Sequence, residues 1–68
     1  MRILILTTSY PTPQKIYEQP FVRARVRGYR KRGDNVRVLS FSTQKDYELD
    51  GVEVFPEKSW RGKDLLQY

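Results

Sequence analysis

The chain opens on a short unbroken apolar run, Ile3-Leu4-Ile5-Leu6, followed by Thr7-Thr8. A run of that length without polar alternation suits a central strand of a parallel sheet, covered on both faces, better than an edge strand with one wet face. Ser9-Tyr10-Pro11-Thr12-Pro13 has to be loop, because two prolines so close together remove backbone donors and disfavour helix at the residues before them. The loop runs on through Gln14-Lys15-Ile16-Tyr17. Glu18-Gln19-Pro20 reads as a helix start, with proline tolerated in the first turn and an acid near the positive end of the dipole. From Phe21 to Arg32, Val22, Val26 and Tyr29 recur at i, i+4 and i+7 and predict one buried stripe, with Arg23, Arg27 and Lys31 opposite it. Arg30, Lys31 and Arg32 crowd the last turn, where cations oppose the negative dipole end, and Gly33 supplies the left-handed residue that stops the helix.

Val36-Arg37-Val38-Leu39-Ser40-Phe41 alternates at its start and is rich in β-branched residues, which predicts a second strand. Ser42 to Asp50 is polar and turn-like, Asp50-Gly51 marks a tight turn, and Val52-Glu53-Val54-Phe55 alternates as a short third strand that Pro56 ends. Past it, Ser59 offers a cap for a short helix, but Trp60, Leu65, Leu66 and Tyr68 form no stripe. Strand, loop, helix, glycine stop and strand make a β-α-β unit, expected to have parallel strands and a right-handed crossover. The fold expected is therefore α/β and Rossmann-like. One helix covers one face of such a sheet, so the other face is expected to be bare and apolar, and to be completed by further protein.

Composition narrows the chemistry. At 68 residues the chain is one small domain at most, and a unit of this size buries only about 60% of the surface its unfolded chain exposes. There is no Cys and no His, which removes disulfides, thiolate zinc sites, imidazole ligands, catalytic triads and thiol chemistry; only carboxylates remain as metal ligands, and no EF-hand spacing groups them. No glycine-rich dinucleotide fingerprint follows the first strand, and no Walker A sequence occurs. The carboxylates Asp46, Glu48, Asp50 and Glu53 lie on or beside a polar stretch, with nothing to bury and tune an acid–base pair. No cofactor or metal is expected. The amino-terminal apolar run is too short for a signal peptide or a membrane span, so a soluble, cytoplasmic protein is expected.

Ligands of open parallel sheets bind beyond the carboxyl ends of strands, which makes Thr8, Ser9 and Tyr10 candidate substrate contacts beside the plainer reading of a proline-stiffened turn. Lys15, Tyr17 and Gln19 lead into the helix start, where backbone donors and the dipole favour anions, although Glu18 already supplies negative charge there; a solvated loop is the first reading of these residues and contact with an acceptor the second. Thirteen Lys and Arg against eight Asp and Glu give a net charge of +5, and the helix holds much of the excess. For its outer residues Arg23, Arg27 and Lys31 a solvated face is the first reading. Contact with an anionic membrane, at the inner face of which the protein would sit peripherally, is the second. Nucleic acid comes last, since no base-reading helix or stacking motif accompanies the charge.

The order of residues adds a resemblance. An apolar first strand, then Thr8-Ser9-Tyr10-Pro11 and a loop ending in Phe21-Val22, then Lys31-Arg32-Gly33-Asp34-Asn35-Val36-Arg37-Val38 and Asp50-Gly51-Val52-Glu53-Val54, resembles the start of family 4 retaining glycosyltransferases of the GT-B fold. The likeness runs over residues 2 to 56. It departs from the family where the first loop lacks adjacent glycines near the donor phosphates, and where Asp34 stands in place of a common His. The resemblance implies the acceptor-side, amino-terminal part of an enzyme that moves a sugar from a nucleotide-sugar donor to a lipid-linked or polysaccharide acceptor. It implies that the donor-binding domain lies outside this chain, and that these residues alone do not catalyse the transfer. Expected partners are the remaining domain of the same enzyme or another copy of the chain. Two rivals stand beside it: a small basic α/β module that binds nucleic acid or anionic membrane, and a self-associating interaction protein whose bare sheet face pairs with another chain.

Overall fold

A computed structural model of the chain describes residues 1–65, so Leu66 and Tyr68 lie outside the described residues. The elements are β1 (Arg2–Thr7), α1 (Pro20–Lys31), β2 (Asn35–Ser40), β3 (Tyr47–Leu49), β4 (Val52–Phe55) and a 3-10 helix, Glu57–Gly62. The strands form one mixed sheet in the order β1-β2-β4-β3. β1 pairs parallel with β2, and β2 parallel with β4; β3 folds back antiparallel on β4. This is a small α/β domain.

Register sorts the side chains onto two faces. Ile3 and Ile5 stand beside Val36 and Val38, and Val38 beside Val54, and this face packs on Val22, Val26 and Tyr29 of α1. The helix stripe read from the sequence is thus the one that meets the sheet. Tyr10 joins that core from the first loop. On the other face Leu6, Leu39 and Phe55 form one row, and Leu4, Arg37 and Glu53 the next.

Proline explains how α1 starts and glycine how it stops. Pro20 takes the first helical position, where its missing N–H costs nothing. Gln19 precedes it in the left-handed region (φ 48°, ψ 56°), and the first turn contains no acid, so Glu18 falls just short of the dipole position expected for it. At the other end Gly33 adopts φ +90°, its N–H reaches the Arg30 carbonyl, and the Asp34 N–H reaches back to Tyr29. That pair of bonds is the Schellman closure, which satisfies carbonyls the helix would otherwise leave open. Asp34 is itself buried and held by Arg32 (Nη2–Oδ2 2.7 Å) and by the amino terminus (3.3 Å).

Several expectations are corrected. β1 is an edge strand, not a central one: it pairs with β2 alone among the described residues, and Leu6 is 62% exposed. An unbroken apolar run signals two dry faces, yet here Leu4 and Leu6 point away from α1 and only partly find cover. The stretch Ser42–Asp50 is not all turn, since Tyr47–Leu49 forms β3, which makes the sheet mixed instead of wholly parallel. Asp50 and Gly51 both take positive φ (57° and 74°), the conformation a two-residue hairpin between β3 and β4 requires. The second face is not bare either: the 3-10 helix contacts β2, Lys63 lies over the Phe55 ring at 5.4 Å, and Leu39 and Phe55 are buried. Ser59 is not the cap of that short helix. Pro56 holds the capping position, and the Ser59 N–H donates to its carbonyl.

Candidate functional site

The parallel pairing of β1 and β2 brings Thr7 and Ser40 side by side at their carboxyl ends, and the two chains stay together just beyond. The Phe41 N–H donates to the Thr7 carbonyl at 3.0 Å, and the Ser42 N–H to that of Thr8 at 2.9 Å. The Thr7 hydroxyl then closes on the Ser9 carbonyl at 2.8 Å, which bends the chain into the proline loop. Prolines leave carbonyls in this loop without nearby backbone donors. The Tyr47 hydroxyl supplies one, donating to the Pro11 carbonyl at 2.7 Å, so the short strand β3 anchors the loop. Further on, the Lys15 N–H caps back on Thr12, meeting both its carbonyl and its hydroxyl at 3.0 Å.

These turns enclose an open cleft of about 770 Å³ at the carboxyl ends of β1 and β2. Of the residues singled out in the sequence, Ser9, Tyr10, Lys15 and Gln19 border it. The Gln19 amide donates to the Ser9 hydroxyl at 3.0 Å, tying the helix start to the end of the first strand. Thr12, Gln14, Glu18, Ser42 and Thr43 complete the wall. Sequence reasoning missed Ser42 and Thr43, although the rule that pointed to Thr8 and Ser9 applies equally to the end of the second strand. Lys15 is the one cation among the lining residues and Glu18 the one carboxylate, so the wall carries no net charge.

Two candidates fall elsewhere. Thr8 is exposed and does not line the cleft; its carbonyl is taken by Ser42. Tyr17 is 90% exposed and borders a different hollow, with Pro20, Ala24 and Arg27. Tyr10 borders the cleft, but its side chain is packed in the core at 2% exposure, and its buried hydroxyl finds no hydrogen-bond partner among the described residues. Burial, and secondarily the negative charge of Asp50, push that phenol up to about 12.

The basic face of α1 also divides. Arg23 is not a solvated outer residue: it bridges Asp50 through Nε and Nη2, and that contact holds the Asp50 carboxyl below its ordinary range. Arg27 and Lys31 stay exposed and line a shallow hollow of about 520 Å³ with Gly28, Arg30 and Asp50. Among the described residues, no three His, Cys, Asp or Glu side chains gather as a metal site, and no helix is long and apolar enough to cross a membrane.

Fold and cleft together define a small mixed-sheet α/β domain with a polar cleft at the carboxyl ends of two parallel strands. Compared with protein families, curated proteins and solved structures, the chain matches none.

Proposed function

We propose that the cleft beyond β1 and β2 holds a neutral, hydroxyl-rich ligand, and that the chain is the acceptor-side part of an enzyme transferring sugar from a nucleotide-sugar donor to a lipid-linked or polysaccharide acceptor. The observation that carries this reading is the convergence of Ser9, Gln19, Ser42 and Thr43 on one open cleft whose charged residues cancel. Sites for small polar molecules fix orientation with a few placed hydroxyl, amide and backbone groups. A diphosphate calls for something else, a run of backbone N–H groups in a glycine-rich loop or a cluster of cations. The cleft has neither, so the donor's diphosphate belongs to another part of the enzyme. The function of the cleft is then to position an acceptor hydroxyl, which contributes through orientation instead of proton transfer. The outer edge of β1, unpaired among the described residues, and the exposed Leu6 support completion of this sheet by further protein.

Titration of the ¹⁵N-labelled chain with glucose, glucose 1-phosphate and a short glucan tests the ligand class. Amide shifts are expected at Ser9, Gln19, Ser42 and Thr43, with the neutral saccharides at least as effective as the phosphate. In the enzyme that carries this chain, Ser9→Ala and Gln19→Ala should raise the acceptor KM and leave the donor KM unchanged, whereas Tyr17→Ala should alter neither. Shifts confined to the helix, or a change in donor KM alone, would remove the cleft from acceptor binding.

A further inference from the structure

The cleft is walled by two loops, and one side chain from outside it meets both. Tyr47 is the first residue of β3 and stands opposite Val54 of β4, so the sheet fixes its backbone. Its ring packs against the buried core. From there the hydroxyl hydrogen is shared between the Pro11 carbonyl at 2.7 Å and the Tyr10 carbonyl at 3.3 Å. The Thr43 side chain, from the loop after β2, meets the same phenol. Tyr10, Thr12 and Thr43 line the cleft, whereas Tyr47 does not. Pro11 and Pro13 have no N–H, so the first loop cannot brace itself with a full set of backbone bonds.

We infer that Tyr47 is a positioning residue for the acceptor: it sets the spacing of the two walls through Pro11 and Thr43 without touching the ligand. The inference rests on the reading of the cleft as an acceptor site. Hydroxyl and amide groups orient a sugar hydroxyl only at the right separation, and a misplacement of about 1 Å can cost roughly a hundredfold in rate. An irregular loop does not hold such a separation alone. A ring seated on a strand and locked by packing does. Tyr10 cannot take this part, because its own hydroxyl is buried in the core and finds no partner among the described residues.

Two variants on β3 test it. Tyr47→Phe keeps the ring and removes the donor. Leu49→Val, on the same strand and against the same core, trims packing and leaves both loops alone. Each is compared with the parent in ¹⁵N spectra, at a temperature where the Val26 and Val38 amides report a folded core, and then titrated with a short glucan. Before any ligand is added, Tyr47→Phe should shift the Thr12 and Thr43 amides. Its glucan Kd should rise roughly three- to tenfold, the range for loss of one hydrogen bond, while Leu49→Val should bind as the parent does. In the parent itself, glucan should move the Tyr47 amide although that residue lies outside the cleft, a readout that needs no variant to fold. In the enzyme that carries this chain, Tyr47→Phe should raise the acceptor KM and leave the donor KM unchanged. Equal glucan affinity in Tyr47→Phe and the parent, or an equal loss in Leu49→Val, would overturn the inference and leave the cleft standing as the acceptor site. Failure of the parent to bind glucan would remove the acceptor site, and the role of Tyr47 with it.

Discussion

The Arg23 guanidinium meets the Asp50 carboxylate on two hydrogen bonds, Nε to Oδ2 at 2.8 Å and Nη2 to Oδ1 at 3.1 Å, between positions 27 residues apart in the chain. One partner belongs to the first turn of α1, the other to the hairpin turn between β3 and β4. The pair therefore joins the helix to the far side of the sheet and passes beside the buried Tyr10, whose phenol responds to both charges.

Asp50 has a second duty, since it occupies the left-handed region at φ 57°. Asn tolerates that conformation and Ala does not, at a cost of about 1–2 kcal/mol. Asp50→Asn should lower stability by loss of the charged pair alone, and Asp50→Ala should lower it further by that backbone cost. Urea melts of the two variants check the order. Equal loss in both would mean that the turn places no demand on this residue.

Asp34, Asp46 and Asp50 all have their acidity strengthened, by hydrogen bonds from Arg32, Lys63 and Arg23 respectively, relative to the ordinary value of 3.8. The unfolded chain then takes up protons at a higher pH than the folded one. Stability from these groups is complete above about pH 5 and is lost as pH falls through 3.8 and on through the lower folded values. Denaturant midpoints should hold level from neutral pH to about 5 and then fall, less steeply in Asp50→Asn. A midpoint that does not move down to pH 3 would contradict the pairing.

The Tyr10 phenol works in the opposite range. Burial raises it from 10.0 to about 12, so the unfolded chain ionises first and stability is lost as pH rises between those values. A shift of that size corresponds to roughly 2–3 kcal/mol at most. Because its buried hydroxyl has no partner among the described residues, Tyr10→Phe should be neutral or stabilising by up to about 1 kcal/mol at pH 7. The variant should also lose less stability than the parent above pH 10. Melts at neutral and alkaline pH, with phenolate absorbance followed alongside, measure both. Marked destabilisation at pH 7 would show that the hydroxyl has a partner after all.

What the sequence made legible was what local pattern decides. The stripe of Val22, Val26 and Tyr29, the glycine stop at Gly33 and the alternation of Val52 to Phe55 all reappear in the fold. β3 was hidden because Tyr47-Glu48-Leu49 is too short to show a period; it is a strand only because β4 pairs with it. Leu6 misled for a similar reason, as a run of four apolar residues does not say which neighbours will arrive to cover it. Arg23 looked solvated because its partner, Asp50, lies beyond a strand and a turn. The cleft was half legible: the rule about strand ends found Ser9, and the helix start found Gln19. Their contact with each other, and the place of Ser42 and Thr43 opposite, depend on the β1–β2 pairing.

Gln19 joins strain to the candidate site. Pro20 bars its predecessor from the right-handed helical region, and Gln19 takes the left-handed one, where a side chain costs about 1 kcal/mol or more. From that position its amide reaches Ser9 across the cleft. Gln19→Gly should relieve the backbone and raise stability by up to about 1 kcal/mol, whereas Gln19→Ala keeps the strain, loses the hydrogen bond and should be less stable than the parent. Both should bind saccharide more weakly, because both lack the amide. Paired thermal melts and saccharide titrations separate the two effects. A glycine variant no more stable than the alanine one would dismiss the strain, and undiminished binding in both would detach Gln19 from the cleft's function.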